Sequence, residues 1–173
     1  MRLLLACSTL FFAAASVFAQ SAGPASLRSL DFLLGVWISE DSGQEPETTE
    51  FHWAKPQEKT VLVGRHWAGD AKECPWCVTQ AVMVAYYDTA SSGVHVYFGD
   101  KTPRVMDFIL MSAREKSLEF LTAAAPGRPS YRLTYQLLPT NVLSITLEEA
   151  MPEREGDFSS IGRWSFHRGS LLF

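Results

Sequence analysis

Residues 130–150 read SYRLTYQLLPTNVLSITLEEA, and this stretch decides the fold. Tyr131, Leu133, Tyr135 and Leu137 fall on one face at a period of two. Pro139-Thr140-Asn141 breaks the run, and Leu143, Ile145 and Leu147 then alternate with Ser144, Thr146 and Glu148. A period of two places successive side chains on opposite faces of a strand, whereas a helix would repeat at 3.6. A three-residue turn between two such runs makes them antiparallel neighbours.

Working outward, the same pattern recurs at 49–54, 60–69, 78–88, 94–100, 104–113, 118–124 and 158–168, with a further extended segment opening at Trp37-Ile38. Turn residues separate the runs: Lys55-Pro56-Gln57, Ser91-Ser92-Gly93, Arg114-Glu115-Lys116-Ser117, Pro126-Gly127 and the charged loop 152–157. That makes about ten strands with short connections and no later long helix. Only residues 26–34 have helical spacing, with Ser26 as a candidate cap, Leu27, Leu30, Phe32, Leu33 and Leu34 apolar, and Gly35 ending the element. An all-β chain of this kind closes into a barrel or stacks as a sandwich. The expected fold is an antiparallel up-and-down β-barrel of about ten strands behind a short N-terminal helix.

The bulk numbers agree with one domain: 173 residues, 47% hydrophobic and 20% charged. With 11 Phe, 5 Tyr and 5 Trp there is enough aromatic bulk to fill a core or line a cavity. The net charge is −4, and the basic residues form no stripe, so neither a nucleic-acid footprint nor a polybasic membrane patch is present. Residues 1–19 have the pattern of a secretory signal peptide: Arg2, an apolar run from Leu3 to Val17, and small residues at Val17 and Ala19. The apolar run is short for a membrane span and no basic stop-transfer flank follows, so no stable membrane anchor is expected after cleavage. The expectation is export to the periplasm or beyond, with residues 20–26 a flexible lead and 27–169 the barrel.

Two places carry a resemblance. One is LDFLLGVWISED (30–41), a short helix running into Gly35-x-Trp37; the other is GRWSFHR (162–168), a basic and aromatic last strand. Together with the antiparallel strands, the chain resembles the lipocalin-like (calycin) superfamily, within it the small exported bacterial lipocalin-like domains of unknown function, and more distantly the nitrobindins. The resemblance implies that Trp37 sits near the closed end of the barrel under a basic side chain of the last strand, a cation–π lid. The last strand offers Arg163 and Arg168 for this role, and Arg163 joins Gly35 and Trp37 in the expected structural set.

The resemblance also implies a small hydrophobic or amphipathic ligand inside the barrel. Trp53, Arg65, Trp67, Tyr86, Asp107 and Tyr135 are the expected ligand-facing residues. Asp107, Glu50 and His52 are the seeds of the alternative, a barrel enzyme of isomerase or hydrolase type, since an interior carboxylate or His would have a shifted pKa. Nitrobindins hold haem through a His near the last strand. His167 lies there, but it alternates with Arg163 and Ser165, opposite the aromatic Trp164 and Phe166, so it is expected to face solvent and no cofactor is expected. Cys74 and Cys77, in KECPWCVTQ, have strands on both sides and lack the helix that lowers a redox thiol's pKa. In an oxidising compartment they are expected to form a local disulfide. A zinc site made of them with His52 and His66 is the alternative; its His spacing matches no short zinc knuckle, and no metal is expected. No Gly-x-Ser-x-Gly, phosphate loop or His-Glu-x-x-His is present.

Overall fold

The computed structural model describes residues 26–39, 46–68, 79–100, 105–123, 125–154 and 156–169. The segment expected to be a signal peptide, the expected lead up to residue 25 and the expected Cys74–Cys77 disulfide lie outside them.

Ten strands form one closed sheet: β1 Gly35–Ser39, β2 Glu47–Trp53, β3 Val61–Ala68, β4 Thr79–Asp88, β5 Gly93–Asp100, β6 Val105–Arg114, β7 Ser117–Thr122, β8 Ser130–Leu137, β9 Val142–Ala150 and β10 Ser159–Arg168. Each pairs antiparallel with its sequence neighbour, and β1 pairs with both β2 and β10, which closes the ring. The barrel is therefore up-and-down, and closure leaves no free edge.

This topology gives the barrel two unlike ends. Four even-to-odd hairpins and the N-terminal helix occupy one end. At the other end the odd-numbered strands finish and the even-numbered strands begin. The N-terminal helix, Leu27–Leu33, is a 3-10 helix rather than an α-helix. Ser26 makes no side-chain cap; its carbonyl instead accepts a bond from Ser29 Oγ at 2.6 Å. Leu30 and Leu33 are fully buried and plug this end over Trp37, which is also fully buried.

Gly35 joins helix to strand at φ +111°, a conformation open to glycine alone. Trp37 Nε1 donates to the Leu33 carbonyl at 2.7 Å, which ties the strand back to the helix. The lid expected from the last strand exists, with Arg168 in place of Arg163: its guanidinium lies 4.4 Å from the Trp37 ring centre. The physical reason is register. β1 pairs Trp37 with Arg168, while Arg163 pairs with Thr146, five residues away along β10. Arg168 also donates to the Leu34 carbonyl at 2.9 Å and the Phe32 carbonyl at 3.3 Å, satisfying acceptors that the end of a helix leaves open.

Inside, residues of every strand alternate inward as the period of two requires. Phe108, Phe120, Leu62, Leu118, Leu143 and Val96 fill the half nearer the plug, all fully buried. Three register shifts adjust the wall: Met111 on β6 and Ile161 on β10 are extra residues, and both are exposed, while Gln80 on β4 is the extra residue opposite His66–Trp67.

Candidate functional site: an apolar cavity at the open end

Toward the open end the filling stops, leaving a cavity of about 390 Å³. That volume lies at the small end of the range for ligand pockets, ~300–1,000 Å³. Its floor is Phe51, Met83, Phe108, Leu133 and Tyr135, and its upper walls are Ala81, Met106, Ile145, Leu147, Trp164 and Phe166. Gly64 belongs to the wall because a Cβ there would lie 2.7 Å from the Phe51 ring. Glycine thus lets Phe51 lie across β3. Gly162 does the same for Trp164, whose ring folds onto the glycine backbone within 2.3 Å of where a Cβ would stand.

Polar groups are few. At the mouth, Thr49 Oγ1 and His66 Nδ1 are 2.9 Å apart, and His66 Nε2 faces Glu47 Oε2 at 3.7 Å. Burial pulls the His66 imidazole below its ordinary pKa, and the neighbouring Glu47 carboxylate only partly opposes this. The neutral ring with Nε2–H toward Glu47, accepting the Thr49 hydroxyl proton at Nδ1, satisfies all three groups. At the floor, Tyr135 donates to Met83 Sδ at 3.4 Å, a weak acceptor. Burial pushes its phenol well above the ordinary value, so it stays a neutral donor.

Of the six residues expected to face a ligand, Tyr135 lines the cavity. Arg65 completes the wall between Gly64 and His66, but its alternation is outward with Glu50 and Val82, and its guanidinium lies 5.8 Å over the Trp67 ring. Trp67 pairs with Thr48 on that outer face. Its indole nitrogen is buried and has no partner among the described residues. Trp53 is inside but at the plugged end, donating to Asp31 Oδ1 of the entry helix at 3.1 Å. Tyr86 is on the outer wall, stacked on Tyr97 with ring centres 5.6 Å apart.

Asp107 is also on the outer wall, because the inward positions of β6 fall to Met106 and Phe108. Its side chain is 40% exposed. Glu50 and His52 likewise point outward, so the seeds expected for an enzyme are not in the barrel. His52 and His66 are on opposite faces of the sheet, which separates them as metal ligands. Among the described residues no cluster of three metal-ligating groups forms. His167 is exposed, as its alternation indicated.

Sequence reasoning missed His66 and Glu47 as a mouth pair. The signal was available: His66 alternates with Leu62 and Gly64 and is two residues from the glycine that opens the interior. It also missed a second linkage. Asp107 Oδ1, His95 Nδ1, His95 Nε2 and Ser91 Oγ form a chain of 3.1 and 2.9 Å contacts, in the order of a hydrolase triad. That chain lies on the outer wall, away from the cavity. The amide N–H groups of Ala90 and Ser91, which would serve as oxyanion donors, are bound by Asp88 at 3.1 and 3.0 Å. The Ser91 hydroxyl first, and then these two amides, hold the Asp88 carboxyl below its usual range, while the His95–Asp107 contact ties β5 to β6.

The fold and site together define a closed ten-strand antiparallel β-barrel with an apolar cavity that, among the described residues, opens at one end. No family model matches the chain, and no curated protein matches it either. Among solved structures it is similar to pallilysin from Treponema pallidum, with 14% identity over 82% of this chain and 80% of that one, at a TM-score of 0.35.

Proposed function

We propose that this chain is an exported lipocalin-like binding protein that holds one small amphipathic molecule in the open half of its barrel. The observation that carries this reading is the cavity, apolar in its floor and walls and polar only at the mouth groups and Tyr135. The N-terminal pattern of residues 1–19 and the Gly35-x-Trp37 lid under Arg168 support export and the lipocalin-like likeness. An apolar body would displace water from the floor, contributing about 25 cal/mol per Å² buried. The mouth groups would orient its polar end.

The test is displacement of an environment-sensitive apolar dye, read by fluorescence, together with native mass spectrometry of protein purified from its source. Leu147→Trp narrows the mouth and is expected to weaken dye binding at least about tenfold by removing room for it. Equal dye binding by parent and variant would place the dye elsewhere and sink the reading.

A second reading has one observation of its own. Glu47, His66 and Thr49 are linked as carboxylate, imidazole and hydroxyl, the elements of acid–base chemistry. Turnover of an activated acyl ester, lost in His66→Ala, would favour it; no turnover above the variant's would remove it.

A further inference from the structure

The charge and aromatic character of the mouth select a ligand head group. Glu47 and Phe166 flank the end of β1: the Glu47 amide donates to Ser39 Oγ at 2.9 Å, and Ser39 pairs with Phe166, two residues from Trp164. Glu47 and Phe166 are thus two strand spacings apart, about 10 Å, and Trp164 lies about 7 Å further along β10. Trp164 is a cavity-lining aromatic that remains 40% exposed, its ring packed against Gly162. His66 is kept neutral by burial, with Nδ1 engaged by Thr49. The Arg65 guanidinium lies over Trp67 on the opposite face. Among the described lining residues, the formal charge facing the mouth is therefore the single Glu47 carboxylate, with indole and phenyl faces beside it.

A carboxylate facing an exposed indole across the rim attracts an organic cation into the space between them. The carboxylate gives a charge-assisted hydrogen bond or ion pair, and the ring face attracts positive charge through its quadrupole. An anionic head would meet Glu47 and the negative ring face and would be repelled. We propose that the ligand is a cationic amphiphile, an organic ammonium whose head sits between Glu47 and Trp164 and whose apolar body enters the cavity toward Tyr135. This rests on the binding reading above and adds the charge class of its ligand.

The experiment titrates the folded protein with decylammonium, decyltrimethylammonium, decanol and decanoate, each below its micelle concentration, by calorimetry and tryptophan fluorescence. Parent, Glu47→Gln, Trp164→Leu and Leu147→Trp are compared. The expected result is that both ammonium probes bind about tenfold or more tightly than decanoate. Glu47→Gln should erase that preference while leaving decanol affinity within about twofold, which also shows that the variant is folded. Trp164→Leu should weaken the trimethylammonium probe more than decanol. Equal affinity for all four probes, or an unchanged preference in Glu47→Gln, overturns the head-group assignment and leaves the cavity reading standing. Binding of no probe, or binding indifferent to Leu147→Trp, overturns both.

Discussion

At the scale of single residues, His66 ties folding to protons. Burial lowers its pKa below the ordinary 6.5, so the folded protein keeps the imidazole neutral to lower pH than the unfolded chain does. In the unfolded chain it takes up a proton as pH falls through that value. Below it the unfolded state binds more protons, and stability falls with acidification; above it the contribution is fully present. Urea unfolding between about pH 7.5 and pH 5 should show the parent losing more stability than His66→Gln, and parallel profiles would refute the assignment. Gly35 carries a different constraint. At φ +111° an added Cβ is strained and stands 3.0 Å from the Arg168 guanidinium. Gly35→Ala should cost about 1–3 kcal/mol, measured by the same unfolding. Tyr135→Phe removes a hydroxyl whose acceptor is only a thioether, so it should change stability by less than about 1 kcal/mol.

At the scale of elements, the β1–β10 seam is where the barrel closes, and Arg168 fastens it. The guanidinium stacks on Trp37 and bonds two carbonyls of the entry helix. Arg168→Ala should cost about 2–3 kcal/mol, whereas Arg163→Ala should stay within about 0.5 kcal/mol. Equal losses would mean that the seam is held by something else. The choice between these two arginines shows where sequence reading stops. Both lie on a basic, aromatic strand, and what separates them is the pairing of β1 to β10, a contact across more than a hundred residues that local pattern does not carry. The strands themselves were legible almost to their ends, because one buried face enforces a period of two in each. Asp107 was misread because Val105 and Ile109 suggested an apolar inner face, yet both belong to the outer wall with it. The larger neighbours Met106 and Phe108 took the interior. Trp53 and Trp67 were misread for the same reason: a large aromatic signals burial, and burial alone does not say which end of the barrel, or which face of its wall, provides it.

At the scale of the whole molecule, the two ends of the barrel divide stability from binding. The plugged end is filled by residues without solvent exposure, among them Leu33, Trp37, Phe108 and Leu118. The open end keeps its space, and Leu147, Ile145 and Trp164 there are only partly covered. A protein packed to one density throughout would respond alike to truncation anywhere inside, since interiors transmit a lost methylene as a cavity. Here the response should depend on the end. Leu33→Ala opens a void in a filled region and should cost about 2–5 kcal/mol. Leu147→Ala enlarges a space that already exists and removes a side chain that still meets solvent, so about 1 kcal/mol is expected. A bound ligand should reverse this order of sensitivity. It stabilises only the folded state, by an amount that grows with concentration over Kd, so a saturating decylammonium probe should raise the unfolding midpoint of the parent and of Leu33→Ala equally. The same probe should raise that of Leu147→Trp far less. Denaturant titrations of the three proteins with and without probe measure all of these differences, and equal shifts in all three would show that the open half of the barrel is not where the probe binds.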